Sequence, residues 1–83
     1  MAFRKLNDQT ADFDTQIVIS VHNNDGKIEA SLHHPFESST RIGLELSDAV
    51  DLALHQQQIT PGHPEIVVID ADSIWPASFT PLK

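Results

Sequence analysis

Two aspartates near the C-terminus, in the run Ile66-Val67-Val68-Ile69-Asp70-Ala71-Asp72, are the sharpest chemical possibility in the chain. At positions i and i+2 of a strand, two carboxylates point the same way and can together hold Mg²⁺ through oxygen ligands. That is the arrangement of a minimal divalent-metal-dependent enzyme, and Asp70 and Asp72 are the residues such an enzyme would use. The site needs a third acid. Glu65 is on the same strand but distant, and no other carboxylate is placed by the sequence. The simpler reading is a strand that ends in polar turn residues, with Asp72 and Ser73 opening the next loop.

Five histidines, His22, His33, His34, His55 and His63, invite a second metal reading. Their spacing works against it. His33 and His34 are adjacent in an extended segment and point to opposite faces. His22 and His33 share a face but lie several residues apart, too far to bind one zinc ion at ~2.1 Å each. His55 belongs to a helix face, where Asp51 four residues earlier is an ordinary neighbour. Nucleophilic catalysis has less support still: there is no cysteine, no tyrosine, no G-x-S-x-G turn and no glycine-rich phosphate loop. The sequence therefore assigns no catalytic, cofactor-binding or metal residue, and a non-enzymatic protein is the expectation.

The elements that would carry any site are easier to place. Leu46, Ala49, Val50, Ala53 and Leu54 recur at helical spacing, with Asp48, Asp51 and His55 on the other side. Ser47 or Asp48 can cap the first turn, and Pro61 forces an end near Gln57. Upstream, Thr15 to His22 and Lys27 to His33 alternate apolar and polar residues around Asp25-Gly26, a type I′ hairpin signal. A two-residue loop pairs Asn24 with Lys27, Val21 with Ala30 and Ile19 with Leu32, and sets His22 opposite Glu29. Arg41 to Leu46 alternates again, with Ile42, Leu44 and Leu46 inward and Arg41, Gly43 and Glu45 outward. Gly43 fits a bulge. The fourth strand, Glu65 to Asp70, is apolar on both sides.

These elements predict an α+β domain: an antiparallel sheet in β-β-β-α-β order, one helix on one face, and an extended C-terminal tail. Residues 1–14 read as a loosely held arm, 15–72 as the single domain and 73–83 as the tail. One helix covers one face of the last strand, which leaves the other to be closed. If Val67 and Ile69 face the helix, Ile66 and Val68 face away beside Val18. Ile74, Trp75 and Phe79 are then expected to cover that surface, within the chain or on a second copy. Val18, Ile66, Val68, Ile74, Trp75 and Phe79 are accordingly the interaction candidates.

Composition narrows the partners. Twelve acidic residues against five basic ones give a formal charge of −7, and Arg4, Lys5, Lys27, Arg41 and Lys83 are scattered. Direct nucleic-acid binding or attachment to an anionic membrane needs clustered cations, so neither is expected. No apolar run approaches the ~20 residues of a membrane span and no signal-peptide pattern opens the chain, which predicts a soluble cytoplasmic protein. The order of elements over roughly residues 15–70 is similar in outline to small antitoxins of the HicB kind. That resemblance implies a partial RNase H-like fold that neutralises a basic toxin, and carries over no residues. The expectation is a small acidic interaction or regulatory module and a homo-oligomer. It would be an antitoxin-like, immunity or anti-defence inhibitor of bacterial or phage origin, acting on a basic protein.

Overall fold

Asp25 and Gly26 take φ of 52° and 82°, the left-handed pair that a type I′ turn demands and that glycine adopts without steric cost. The Asn23 side chain accepts the Gly26 amide at 3.0 Å. In this computed structural model the turn joins β2 (Ile17–Asn24) to β3 (Lys27–His33). They pair Asn24 with Lys27, Val21 with Ala30, Ile19 with Leu32 and His22 with Glu29, the register expected from the loop length. The structure describes residues 3–7, 9–35, 41–70 and 73–76.

The remaining elements are β1 (Arg4–Leu6), β4 (Arg41–Glu45), α1 (Leu46–Ile59) and β5 (Ile66–Ile69). The fold is α+β, one helix on a five-stranded sheet of order β1-β5-β2-β3-β4. The sheet is mixed rather than wholly antiparallel: β5 lies between β1 and β2 and runs parallel to both. The cause is the helix. β4 is antiparallel to β3, and α1 carries the chain back along the sheet, so β5 starts again in the direction of β4. Parallel neighbours require such a crossover.

The helix buries Leu46, Ala49, Val50, Ala53 and Gln56, the expected stripe with Leu54 only partly covered. Its ends differ from expectation. It begins one residue before Ser47, with Glu45 at the N-cap and no side-chain cap. It ends at Ile59, two residues past Gln57, where extended Thr60 donates its amide to Gln56 O at 3.0 Å ahead of Pro61.

Strand β5 is buried at all four positions, but its faces are the reverse of those expected. Ile17 pairs with Ile66 and Ile19 with Val68. Because Ile17 and Ile19 lie in the helix-side cluster, Ile66 and Val68 join them there, while Val18, Val67 and Ile69 form a second cluster on the far side. Strand side chains alternate, so a one-residue change of register exchanges the two faces.

The far face is closed by a different segment from the one expected. Leu6 and Ala11 pack on Val18, Val67 and Ile69, and Phe13 sets its ring edge-on to His33 with centroids 5.3 Å apart. Within the segment expected as an arm, Phe3 is buried in the helix-side cluster and Arg4–Leu6 is a strand of the sheet. β1 and β2 flank β5 in the same direction, so the segment between them has to return across the sheet. It does so with local hydrogen bonds. Asn7 Oδ1 accepts the Gln9 and Thr10 amides at 2.9 and 3.0 Å, and the Ala11 amide reaches Asn7 O at 2.9 Å. Gln16 closes the segment, its Oε1 accepting the Asp12 amide at 2.8 Å and its Nε2 donating to Glu65 at 2.8 Å. The Thr15 hydroxyl, with a lesser part from the Asp14 amide, holds the Asp12 carboxyl below its ordinary pKa.

Ile74 and Trp75, expected on the far face, pack instead on the helix-side cluster, where Trp75 meets Phe3 edge-on at 6.1 Å. Phe79 and Asp72 lie outside the described residues, as does the 36–40 connection.

Strand β4 departs furthest from its pattern. Leu44 pairs with Ala30, but Arg41, not Ile42, pairs with Leu32. One extra residue sits on β4 between those pairs, a bulge at Ile42–Gly43 with Gly43 at φ 69°. The bulge breaks the alternation. Ile42 is 79% exposed instead of inward, and Arg41 stands beside the helix instead of outward.

Candidate interaction surface

Asp70 is buried at the end of β5. Its two carboxylate oxygens accept the amides of Ile74 and Trp75 at 2.8 and 2.9 Å, and its carbonyl accepts the Ser73 amide at 3.2 Å. A carboxylate bound by two backbone amides fixes a turn, and it is this turn that lays Ile74 and Trp75 on the helix-side core. Four histidines serve local contacts. His22 hydrogen-bonds Ser31 Oγ at 2.7 Å, His33 donates to Phe13 O at 2.9 Å, His34 bonds Thr60 Oγ1 at 2.9 Å, and His63 donates to Gln57 O at 2.9 Å. Among the described residues no three His, Asp or Glu side chains come together as a metal site would require.

Of the interaction candidates named from sequence, Val18, Ile66 and Val68 are buried within the chain. Ile74 and Trp75 are half-buried on the helix side, so among the described residues the structure brings together no surface from this set.

A different surface is open. Where β3, β4 and the start of α1 converge, a groove of about 570 Å³ has Ile28, Leu44, Leu46 and Pro76 as its apolar lining. Lys27, Glu29 and Glu45 border it, but Glu29 and Glu45 alternate with Ile28 and Leu44 along their strands, so their side chains belong to the opposite face of the β3–β4 edge. Glu29 and Glu45 stand directly opposite each other in the ladder, a like-charge pairing that costs stability unless a cation lies between. Glu29 accepts a long hydrogen bond from Asn24, 3.4 Å. Among the described residues the one ion pair is elsewhere, Arg4 to Glu65 at 2.6 Å. The first helical turn beside the groove has no side-chain cap, so its amides are available to an acceptor from outside.

Sequence reasoning missed this groove. The hairpin register sets Glu29 opposite His22, but its second neighbour, Glu45, depends on the register of β4, and the bulge sets that register.

No helix among the described residues is long and apolar enough to cross a membrane. Comparison with known protein families, with curated proteins and with solved structures found no match.

Proposed function

We propose that the protein is a small acidic interaction module that inhibits or regulates a basic protein by docking a segment of it in the groove between β3, β4 and the start of α1. The observation that carries this reading is the Glu29–Glu45 pair, two like charges paired across the β3–β4 edge on the face opposite the apolar lining of the groove. A Lys or Arg of a partner segment that wraps this edge removes the repulsion between them on one face, while an apolar neighbour enters against Ile28 and Leu44 on the other. Backbone carbonyls of the same segment can accept from the uncapped first turn of α1. An antitoxin, immunity or anti-defence inhibitor of bacterial or phage origin would use such a surface. A second copy of the chain is a weaker occupant, because the bulge at Ile42–Gly43 interrupts the free edge that a continuous ladder would need.

The alternative, a metal-dependent enzyme built on Asp70 and Asp72, has less behind it, since both Asp70 oxygens already hold backbone amides. The test is capture of proteins from the source cell by three forms of the chain: wild type, the double variant Glu29→Lys/Glu45→Lys, and Asp14→Lys as a charge control away from the groove. A basic protein retained by wild type and control but lost by the double variant is the expected result. A partner held equally by all three forms would contradict the proposed surface.

A further inference from the structure

On the opposite half of the helix a second cleft, of about 460 Å³, opens between α1 and the start of β4. Its size is within the range of small-molecule sites, ~300–1,000 Å³. In a chain of formal charge −7, the ionisable side chains that line it among the described residues are Arg41, His34 and His55, with no carboxylate among these. Arg41 is exposed and makes no ion pair among the described residues. The β4 bulge is what places it there, opposite Leu32 on the helix side. Leu52 and Ile59 give the cleft an apolar wall, and Ile59 is 66% exposed.

The remaining feature is Gln56. It lines the same cleft and is only 6% exposed, yet its Oε1 has no hydrogen-bond donor among the described residues. A buried acceptor without a donor is costly, and natural structures rarely keep one without a use. The terminal torsion of a glutamine is broad, so the amide can rotate, and Gln56 lines the cleft.

We propose that the cleft between α1 and β4 binds a small organic anion: a carboxylate that pairs with Arg41, on an apolar body that covers Ile59 and Leu52, with a hydroxyl or N–H that donates to Gln56 Oε1. A guanidinium binds a carboxylate through two parallel hydrogen bonds, which fixes the head group. The donor to Gln56 then distinguishes one carboxylate from another, as sites with unpaired polar groups do. This site is separate from the groove at the other end of the helix and does not depend on it.

Three probes separate the elements of the proposal: mandelate, phenylacetate, which lacks the hydroxyl, and benzylamine, which reverses the charge. Each is titrated into the labelled protein while backbone amide shifts are followed. Mandelate should saturate, with shifts confined to Arg41 and residues 52–60. Phenylacetate should bind about tenfold more weakly, and benzylamine should give no saturable shift at these residues. Arg41→Gln should weaken mandelate about tenfold, and Gln56→Leu should erase its advantage over phenylacetate. Should Gln56→Leu fail to fold, Arg41→Gln, a change at an exposed position, decides the matter. Equal shifts from mandelate and benzylamine, no saturation with any probe, or wild-type mandelate binding by Arg41→Gln would each overturn the proposal.

Discussion

The two faces of the sheet are closed by different means. On the helix side, twelve buried residues drawn from β2, β3, β5, the helix and Phe3 form one cluster, and α1 covers it with a stripe at helical period. On the far side three residues are buried, Val18, Val67 and Ile69, and Leu6 at the end of β1 and Ala11 in the irregular segment that follows cover them. That segment is held by its own hydrogen bonds, from the Asn7 turn to the Gln16–Glu65 contact. A regular cover announces itself in sequence because its side chains repeat. An irregular one does not, since two well-placed apolar groups and a few satisfied amides suffice over a small area. Either way, β5 has neither face exposed.

Unequal core size should show as unequal cost. Ile19→Ala, fully buried in the larger cluster, should lose about 4 kcal/mol of stability, and Ile69→Ala on the far face about 2 kcal/mol, opposite ends of the usual range. Denaturant unfolding of the two variants measures this, and equal losses would mean that the far face is packed as completely as the helix side. Asp70→Ala sharpens the comparison from the other direction. It removes the acceptor of two backbone amides and should cost about 2 kcal/mol. The accompanying change should be in Trp75 fluorescence, not at Ala11, because the turn it fixes serves the helix side. A shift at Ala11 with Trp75 unmoved would reverse the assignment.

The smallest effect concerns Asp12 in the far-face cover. Its carboxyl has a folded pKa below the ordinary 3.8, so it contributes stability that is present above that value and lost as pH falls through the folded pKa. Asp12→Asn should therefore flatten the loss of stability between about pH 5 and 2. An acid limb as steep as that of wild type would show that the Thr15 contact does not matter to folding.

How much of this was legible follows the same division. The hairpin was read to the residue pair, because Asp25-Gly26 and period-two alternation allow few registers. The helix stripe was legible for the same reason, although Gln56, a polar residue on the buried face, hid the last turn. The faces of β5 were not legible: four consecutive apolar residues carry no alternation, so either parity fits until the pairing with β2 chooses one. Nor was β4, where a single glycine at positive φ shifts the phase, exposing Ile42 and turning Arg41 toward the helix. Both proposed sites border that bulge. The sequence showed a glycine in a strand and could not show which side chains it would move.

The central structural claim is that Leu6 and Ala11 close the far face, which leaves the groove and the cleft as the surfaces for partners. The most direct measurement is the set of nuclear Overhauser contacts from the methyl groups of Val18 and Val67. The account predicts contacts to the methyls of Leu6 and Ala11, with the Trp75 indole seen from Phe3 and not from Val18. Contacts from Val18 to Trp75 or Ile74, with none to Ala11, would contradict it and return the far face to the C-terminal tail.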